Sequence, residues 1–247
     1  ETDRFELLYQ PLMHVTTRTI SHYETLLRLP TETGVLRPES FLPAAFRFGL
    51  MADIDRWVLK RAVQSLAELL PSMPGLTLST NVSGFAFEDE GLASYLRDVL
   101  KDHGVGGDRL ILEITGQVAV RFAARTDRQL AMLRDLGCQV ATDDFGSGYS
   151  SFSYLKRLPV DFLKIDGAFI KNLARDKVDQ AMVRMVGEVA RAAGIETVAE
   201  YVNSAATFEL LAKYGIDYAQ GYYIGKPMAE PVPSNVTRFD KHANRVG

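Results

Sequence analysis

The chain has 247 residues, 47% of them hydrophobic and 24% charged, which is enough for one full-sized α/β barrel around a large core and excludes a disordered chain. A net charge of −3 excludes a general binder of DNA, which needs a basic face to displace counterions. A single cysteine, Cys138, excludes a disulfide framework and cysteine-built metal sites, and the four scattered histidines (His14, His22, His103, His242) argue against a histidine-built one. No apolar run approaches the roughly 20 residues that span a bilayer, so a soluble, cytoplasmic domain is expected. The chain opens at Glu1 and enters an apolar strand at Phe5, which is the look of a domain cut from something longer or of a trimmed chain.

In chain order, β-rich runs are expected at 5–13, 20–27, 76–82, 110–114, 139–142, 161–165, 195–199 and 218–224. Longer segments of helical spacing separate most of them. Leu130, Leu133 and Leu136 lead to Gly137 as a helix stop, and Met182, Met185, Val186 and Val189 are expected to form one buried helix face. Strands alternating with helices imply a parallel sheet, and about eight of them imply a closed TIM-like (β/α)8 barrel. The first two runs are joined too closely for a parallel crossover, so the first strand is expected to be antiparallel. The barrel domain is assigned to 1–230 and a C-terminal tail to 231–247, where the periodicity is lost.

The strand ends carry the chemistry. The apolar runs terminate in Glu24, Asn81, Glu113, Asp143 and Asp144, Lys164, Glu200 and Gln220. A strand-end carboxylate on its own is ordinarily a helix cap or a solvated loop residue. In a barrel, however, the ends of parallel strands open onto one face, so these residues are expected to converge. Like charges about 4 Å apart repel by roughly 4 kcal/mol at an effective dielectric near 20, so such a cluster needs protons or cations. Oxygen ligands with a carboxamide favour Mg²⁺, Mn²⁺ or Ca²⁺ over zinc, and adjacent aspartates suit a two-ion site acting on a phosphodiester. Lys164 is suited to orienting the attacking water, or else is a salt-bridged lysine that rigidifies the mouth. The glycine- and serine-rich run after Asp144, through Phe145, Gly146, Ser147, Gly148 and Tyr149 to Ser151, suits a loop that receives phosphate. Arg28 suits a phosphate or pairs with a carboxylate.

Together these residues resemble the EAL-domain family of cyclic di-GMP phosphodiesterases. The matching motifs run from Tyr9-Gln10-Pro11 to Gly225-Lys226-Pro227: Glu24-Thr25-Leu26-Leu27-Arg28, Asp55-Arg56-Trp57-Val58-Leu59, Asn81-Val82-Ser83, Glu113-Ile114-Thr115, the loop from Asp143 to Ser151, Lys164-Ile165-Asp166, Ala199-Glu200 and Gln220-Gly221-Tyr222. The resemblance implies a TIM-like barrel with an antiparallel first strand and hydrolysis of cyclic di-GMP to linear pGpG. It implies that Glu24, Asn81, Glu113, Asp143, Asp144 and Glu200 bind two Mg²⁺ or Mn²⁺ ions. Lys164, Glu200, Asp143 and Asp144 would be catalytic, and Gln10, Leu26, Arg28, Asn81 and Gln220 would contact the nucleotide. By themselves Tyr149, Phe152, Tyr154 and Leu155 read as packing against the next helix; the resemblance implies a homodimer built around this region, with N-terminal sensory or diguanylate-cyclase-like domains in the full-length protein.

Three motifs depart from the family pattern. Gly116 replaces a glutamate thought to hold the double-aspartate loop, Thr25 replaces an alanine, and Glu200-Tyr201-Val202-Asn203 stands where Glu-Gly-Val-Glu is expected. Loss of groups that hold metal ligands costs one or two decades in affinity or activity, so lowered turnover is expected. Two other classes fit the same residues: a cyclic di-GMP receptor that has lost turnover, and a structural module with neither metal nor nucleotide. Complete ligand positions together with Lys164 favour the enzyme.

Overall fold

The computed structural model describes residues 4–116, 123–146 and 159–232. The strands are β1 (Glu6–His14), β2 (Thr19–Thr31), β3 (Gly34–Leu36), β4 (Leu78–Asn81), β5 (Leu110–Thr115), β6 (Gln139–Phe145), β7 (Phe162–Ile165), β8 (Glu196–Ala199) and β9 (Tyr218–Gln220). The helices are α1 (Pro38–Arg47), α2 (Met51–Leu69), α3 (Leu92–His103), α4 (Ala123–Asp135), α5 (Gly167–Ile170), α6 (Lys177–Ala193) and α7 (Ala205–Tyr214).

The sheet order is β1-β9-β8-β7-β6-β5-β4-β2-β3, and an additional β1–β2 pairing closes eight of the strands into a barrel. β1 runs antiparallel to β2 and β9, whereas β2 and β4 to β9 pair in parallel. The expected antiparallel start is therefore present, because the connection between β1 and β2 is too short for a crossover. β3 is a short antiparallel extension on the far end of β2.

Register decides which side chains face inward. Gln10 pairs with Glu24, Glu24 with Ser79, Asn81 with Glu113 and Ala141 with Phe162, so alternate residues of each strand share the barrel interior. One interior layer is apolar: Leu12, Ile111, Ala141, Phe162, Val198 and Tyr218 form a cluster of their own, separate from the main core between sheet and helices. His22 completes this layer, with its ring 5.8 Å from Phe162 and 5.5 Å from Tyr218. Burial, together with the charge of Lys164, holds that imidazole neutral, with its pKa lowered to about 3. The next inward residues toward the strand ends are the charged ones.

Outside the sheet, Asp176 caps α6 by accepting from the N–H groups of Val178 and Asp179, and Ser204 caps α7 through Thr207. Gly194 and Gly215 end these helices in the left-handed region.

Some sequence-based expectations shift. β2 continues to Thr31, so Glu24 lies within a strand rather than at its end, because β3 and β1 supply partners beyond it. β9 stops at Gln220, before Gly221 turns the chain at φ 154°. The buried face of α6 is Val183, Val186, Gly187 and Ala190, while Met185 is 38% exposed. Gly187 is buried here because α6 packs closely on the end of α7 and the segment that follows it, with Gly187 against the Tyr214 carbonyl and the Ile216 side chain. Among the described residues no helix is long and apolar enough to cross a membrane.

The apolar layer is the floor of the site, which gives a direct check. Phe162→Ala is expected to destabilise the chain by about 3–5 kcal/mol in urea unfolding. Phe48→Ser, at an exposed position, is expected to stay within about 0.5 kcal/mol.

Candidate active site

Lys164, on β7, is 1% exposed and sits at the centre of the barrel mouth. Its Nζ lies 2.5 Å from Glu113 Oε2, 2.9 Å from Glu200 Oε1, 3.4 Å from Glu24 Oε2 and 3.5 Å from Asp143 Oδ1. The four carboxylates come from β2, β5, β6 and the segment after β8, and only the closed barrel brings them to one nitrogen. Glu24 is held further by Asn81, whose Nδ2 donates to Oε1 at 2.8 Å, and by Gln220, whose Nε2 donates to Oε2 at 2.6 Å. Asp144 follows at φ 55°, in the left-handed region, and its N–H donates to Asp143 Oδ1 at 2.9 Å. That turn brings Asp143, Asp144 and Glu200 close enough to offer carboxylate oxygens within 4.8 Å of one another.

The electrostatics follow from one ammonium among several carboxylates. Burial would strip the proton from Lys164, but Asp143, Glu113, Glu200 and Glu24 hold it on, well above the usual lysine range. Glu113 is pushed up to about 8 by burial and by the charges of Glu24 and Asp143, against the pull of Lys164. Glu200 is pushed up to about 7, again first by burial, and Asp144 is raised by burial and by Asp143 and Asp166. Two carboxyls poised near neutrality mark a site with more acid than its own lysine can balance. The buried Gln220 Oε1 has no hydrogen-bond partner. Surplus carboxylate beside an unpaired buried acceptor, all with oxygen donors, fits a hard divalent cation.

The nucleotide-contact candidates lie around this cluster. Glu24, Leu26 and Arg28 alternate along one face of β2, so Arg28 stands about 13 Å beyond Glu24 at the open end. In this structure its guanidinium donates to the Leu27 carbonyl at 2.8 Å. Gln10 is on the neighbouring strand β1, and its amide donates to the Gly225 carbonyl at 3.1 Å. Thr25, the departure next to Glu24, is buried and satisfied, since its hydroxyl donates to the Ser79 carbonyl at 3.0 Å. Gly116 is buried directly after β5, and Asn203 is exposed. Ser147 to Ser151, with Phe152, Tyr154 and Leu155, lie outside the described residues, as does the tail from 233 onward.

Asp55 has a part that its motif alone did not assign. It sits on α2 among Ile54, Val58 and Leu59, and accepts from the Ser83 N–H at 3.0 Å and the Ser83 hydroxyl at 2.5 Å. This fastens the segment after β4 two residues beyond Asn81. The available signal was a carboxylate on an otherwise apolar helix face.

An eight-stranded barrel with one antiparallel strand and a lysine-centred polyacid mouth defines a class of α/β-barrel domain. A model of the EAL domain family matches residues 1–227, and the chain belongs to that family. It is 38% identical over 242 residues to the cyclic di-GMP phosphodiesterase PdeB of Shewanella oneidensis, covering 97% of this chain and 28% of the relative. It is 36% identical to the cyclic di-GMP phosphodiesterase PdeF of Escherichia coli, covering 92% of this chain and 30% of the relative. The chain thus spans less than a third of the length of these curated relatives. A solved structure of the PaMucR phosphodiesterase in complex with c-di-GMP superposes with a TM-score of 0.87 at 35% identity, covering 95% of this chain and 94% of that one.

Burial pushes the Asp55 carboxyl up to about 6 from 3.8, despite its bonds to Ser83. The unfolded chain therefore releases this proton first as pH rises, and the group's contribution to stability is full below pH 3.8 and lost by about pH 6. The loss is expected to reach about 3 kcal/mol. Urea unfolding between pH 4 and 7 is expected to show this component in the parent chain, and to lack it in Asp55→Asn.

Proposed function

We propose that this domain is a divalent-metal-dependent phosphodiesterase that hydrolyses cyclic di-GMP to linear pGpG. The observation that carries the reading is the convergence of Glu24, Glu113, Asp143 and Glu200 on the buried ammonium of Lys164. A site built only for stability would match charges one to one, since each surplus buried carboxylate raises the cost. The names of the relatives support the substrate.

In this reading Glu24, Asn81, Glu113, Asp143, Asp144 and Glu200 hold two Mg²⁺ or Mn²⁺ ions. The ions supply neutralisation of the carboxylates and Lewis-acid activation of water and phosphate. Lys164 orients the attacking water and offsets the negative charge that grows on the phosphoryl oxygens. Glu200, 2.9 Å from Lys164 Nζ, accepts the proton of that water. Asp143 and Asp144, whose carboxylate oxygens lie within 4.8 Å of one of Glu200, help to fix that water. Gln10, Leu26, Arg28, Asn81 and Gln220 line the path of the nucleotide, where Arg28 supplies a guanidinium to a phosphate. Water adds to one phosphorus and one phosphodiester bond breaks, which opens the ring to a linear dinucleotide.

The domain works in the cytoplasm, as a homodimer, joined in the full-length protein to N-terminal sensory or diguanylate-cyclase-like domains. Its 1–230 portion is the catalytic barrel and 231–247 a tail. Gly116 is expected to slow turnover because glycine offers no side chain to hold the double-aspartate turn.

Chromatography of cyclic di-GMP incubated with the 247-residue chain tests this reading. Product is expected with Mg²⁺ or Mn²⁺, none with EDTA, and at least a hundredfold less from Glu113→Ala. Nucleotide binding that survives EDTA without any product would instead make the domain a receptor.

A further inference from the structure

Most of the polar mouth is carried by strands: Gln10, Glu24, Asn81, Glu113, Asp143, Asp144, Lys164 and Gln220 all lie within them, whereas Glu200 follows the end of β8 at Ala199. Its carboxylate nevertheless sits 2.9 Å from Lys164 Nζ. What holds it there is a three-residue step between strands. The Glu200 N–H donates to the Ile165 carbonyl on β7 at 3.4 Å, and the Val202 N–H donates to the Gln220 carbonyl on β9 at 2.9 Å. Between these anchors Tyr201 takes φ 55°, the left-handed region that a bulky side chain rarely adopts.

Such a conformation persists only where its surroundings enforce it. The Tyr201 ring lies flush against Gly167, the first residue of α5, so that a Cβ there would overlap it. The Lys171 ammonium lies 4.3 Å from the ring centroid. Gly167 and Lys171 flank the helix that directly follows Lys164-Ile165-Asp166. The ring therefore ties the turn bearing Glu200 to the element bearing Lys164. Tyr201 as a whole is 59% exposed, so the strain is not offset by burial in the core.

We infer that Tyr201 is a positioning residue, whose ring, packed across Gly167 and Lys171 on one face of α5, locks the left-handed turn that aims Glu200 at Lys164 and the divalent ions. This rests on the metal-dependent reading above. The contact is made by the ring and not by the hydroxyl, so phenylalanine suffices at this position. Alanine keeps the unfavourable backbone without that packing, and the turn relaxes away from φ 55°.

The test is Mn²⁺ binding by the 247-residue chain, measured by calorimetric titration with the metal alone and accompanied by thermal melting. Tyr201→Phe is expected to retain the parent affinity. Tyr201→Ala is expected to bind about ten- to hundredfold more weakly. Lys171→Ala, at an exposed position, is expected to lose a few-fold with an unchanged melting temperature, and it decides the matter if Tyr201→Ala does not fold. Parent-like affinity in both Tyr201→Ala and Lys171→Ala overturns the inference, as does a loss in Tyr201→Phe equal to that in Tyr201→Ala. Absence of Mn²⁺ binding by the parent chain overturns the metal reading itself, and the inference with it.

Discussion

A buried ammonium surrounded by four carboxylates is the constraint around which this barrel is arranged. Lys164 has no water to solvate it, and its charge is sustained by Glu24, Glu113, Asp143 and Glu200. Removing one side of such an arrangement typically leaves an uncompensated buried charge worth about 3–5 kcal/mol. The carboxylates in turn exceed what the lysine can neutralise, and burial first, with the neighbouring carboxylates added, drives Glu113 and Glu200 toward neutral pKa values. The same surplus that costs stability makes the mouth receptive to cations.

The layer below this cluster explains how it stays in place. Leu12, Ile111, Ala141, Phe162, Val198 and Tyr218 fill the barrel interior and exclude water from beneath Lys164. A low-dielectric floor strengthens every ion pair above it. Two ties do the rest: Asp55, on α2, fastens the segment after Asn81, and Arg28 is held in β2 by its pairing with Glu6 of β1. Backbone strain gathers on either side of Lys164, at Asp144 and Tyr201. Asp144 sits at the register irregularity near the end of β6 and Tyr201 directly after Glu200 beyond the end of β8, so both lie where regular strand geometry breaks next to a carboxylate of the mouth.

Gly116 and Thr25 show how differently two departures from a family pattern can fall. Thr25 adds a hydroxyl that finds the Ser79 carbonyl, so its environment absorbs the change. Gly116 offers no side chain at a buried position directly after β5, so nothing there can hold a neighbour through a side-chain hydrogen bond. Tyr201 is a third kind: added bulk, accommodated because the residue facing it is Gly167.

The alternation of β-rich and helical periods, and the polar residue closing each apolar run, were enough to define the barrel, its antiparallel start and the residues that meet at its mouth. Strand ends are legible because polarity changes abruptly there, and in a barrel every parallel end opens to one side. The α6 face was less legible, since close packing against Tyr214 and Ile216 selects a small residue at Gly187 over the methionines that hydrophobicity alone favours. Asp55 lay within a recognised motif, but its grip on Ser83 spans 28 residues and no local pattern reveals it. The sequence by itself determined which residues carry charge and that they share one face. Tertiary structure alone decided that four carboxylates meet on a single lysine nitrogen, and that a tyrosine holds a left-handed turn, because both depend on distances across a closed sheet.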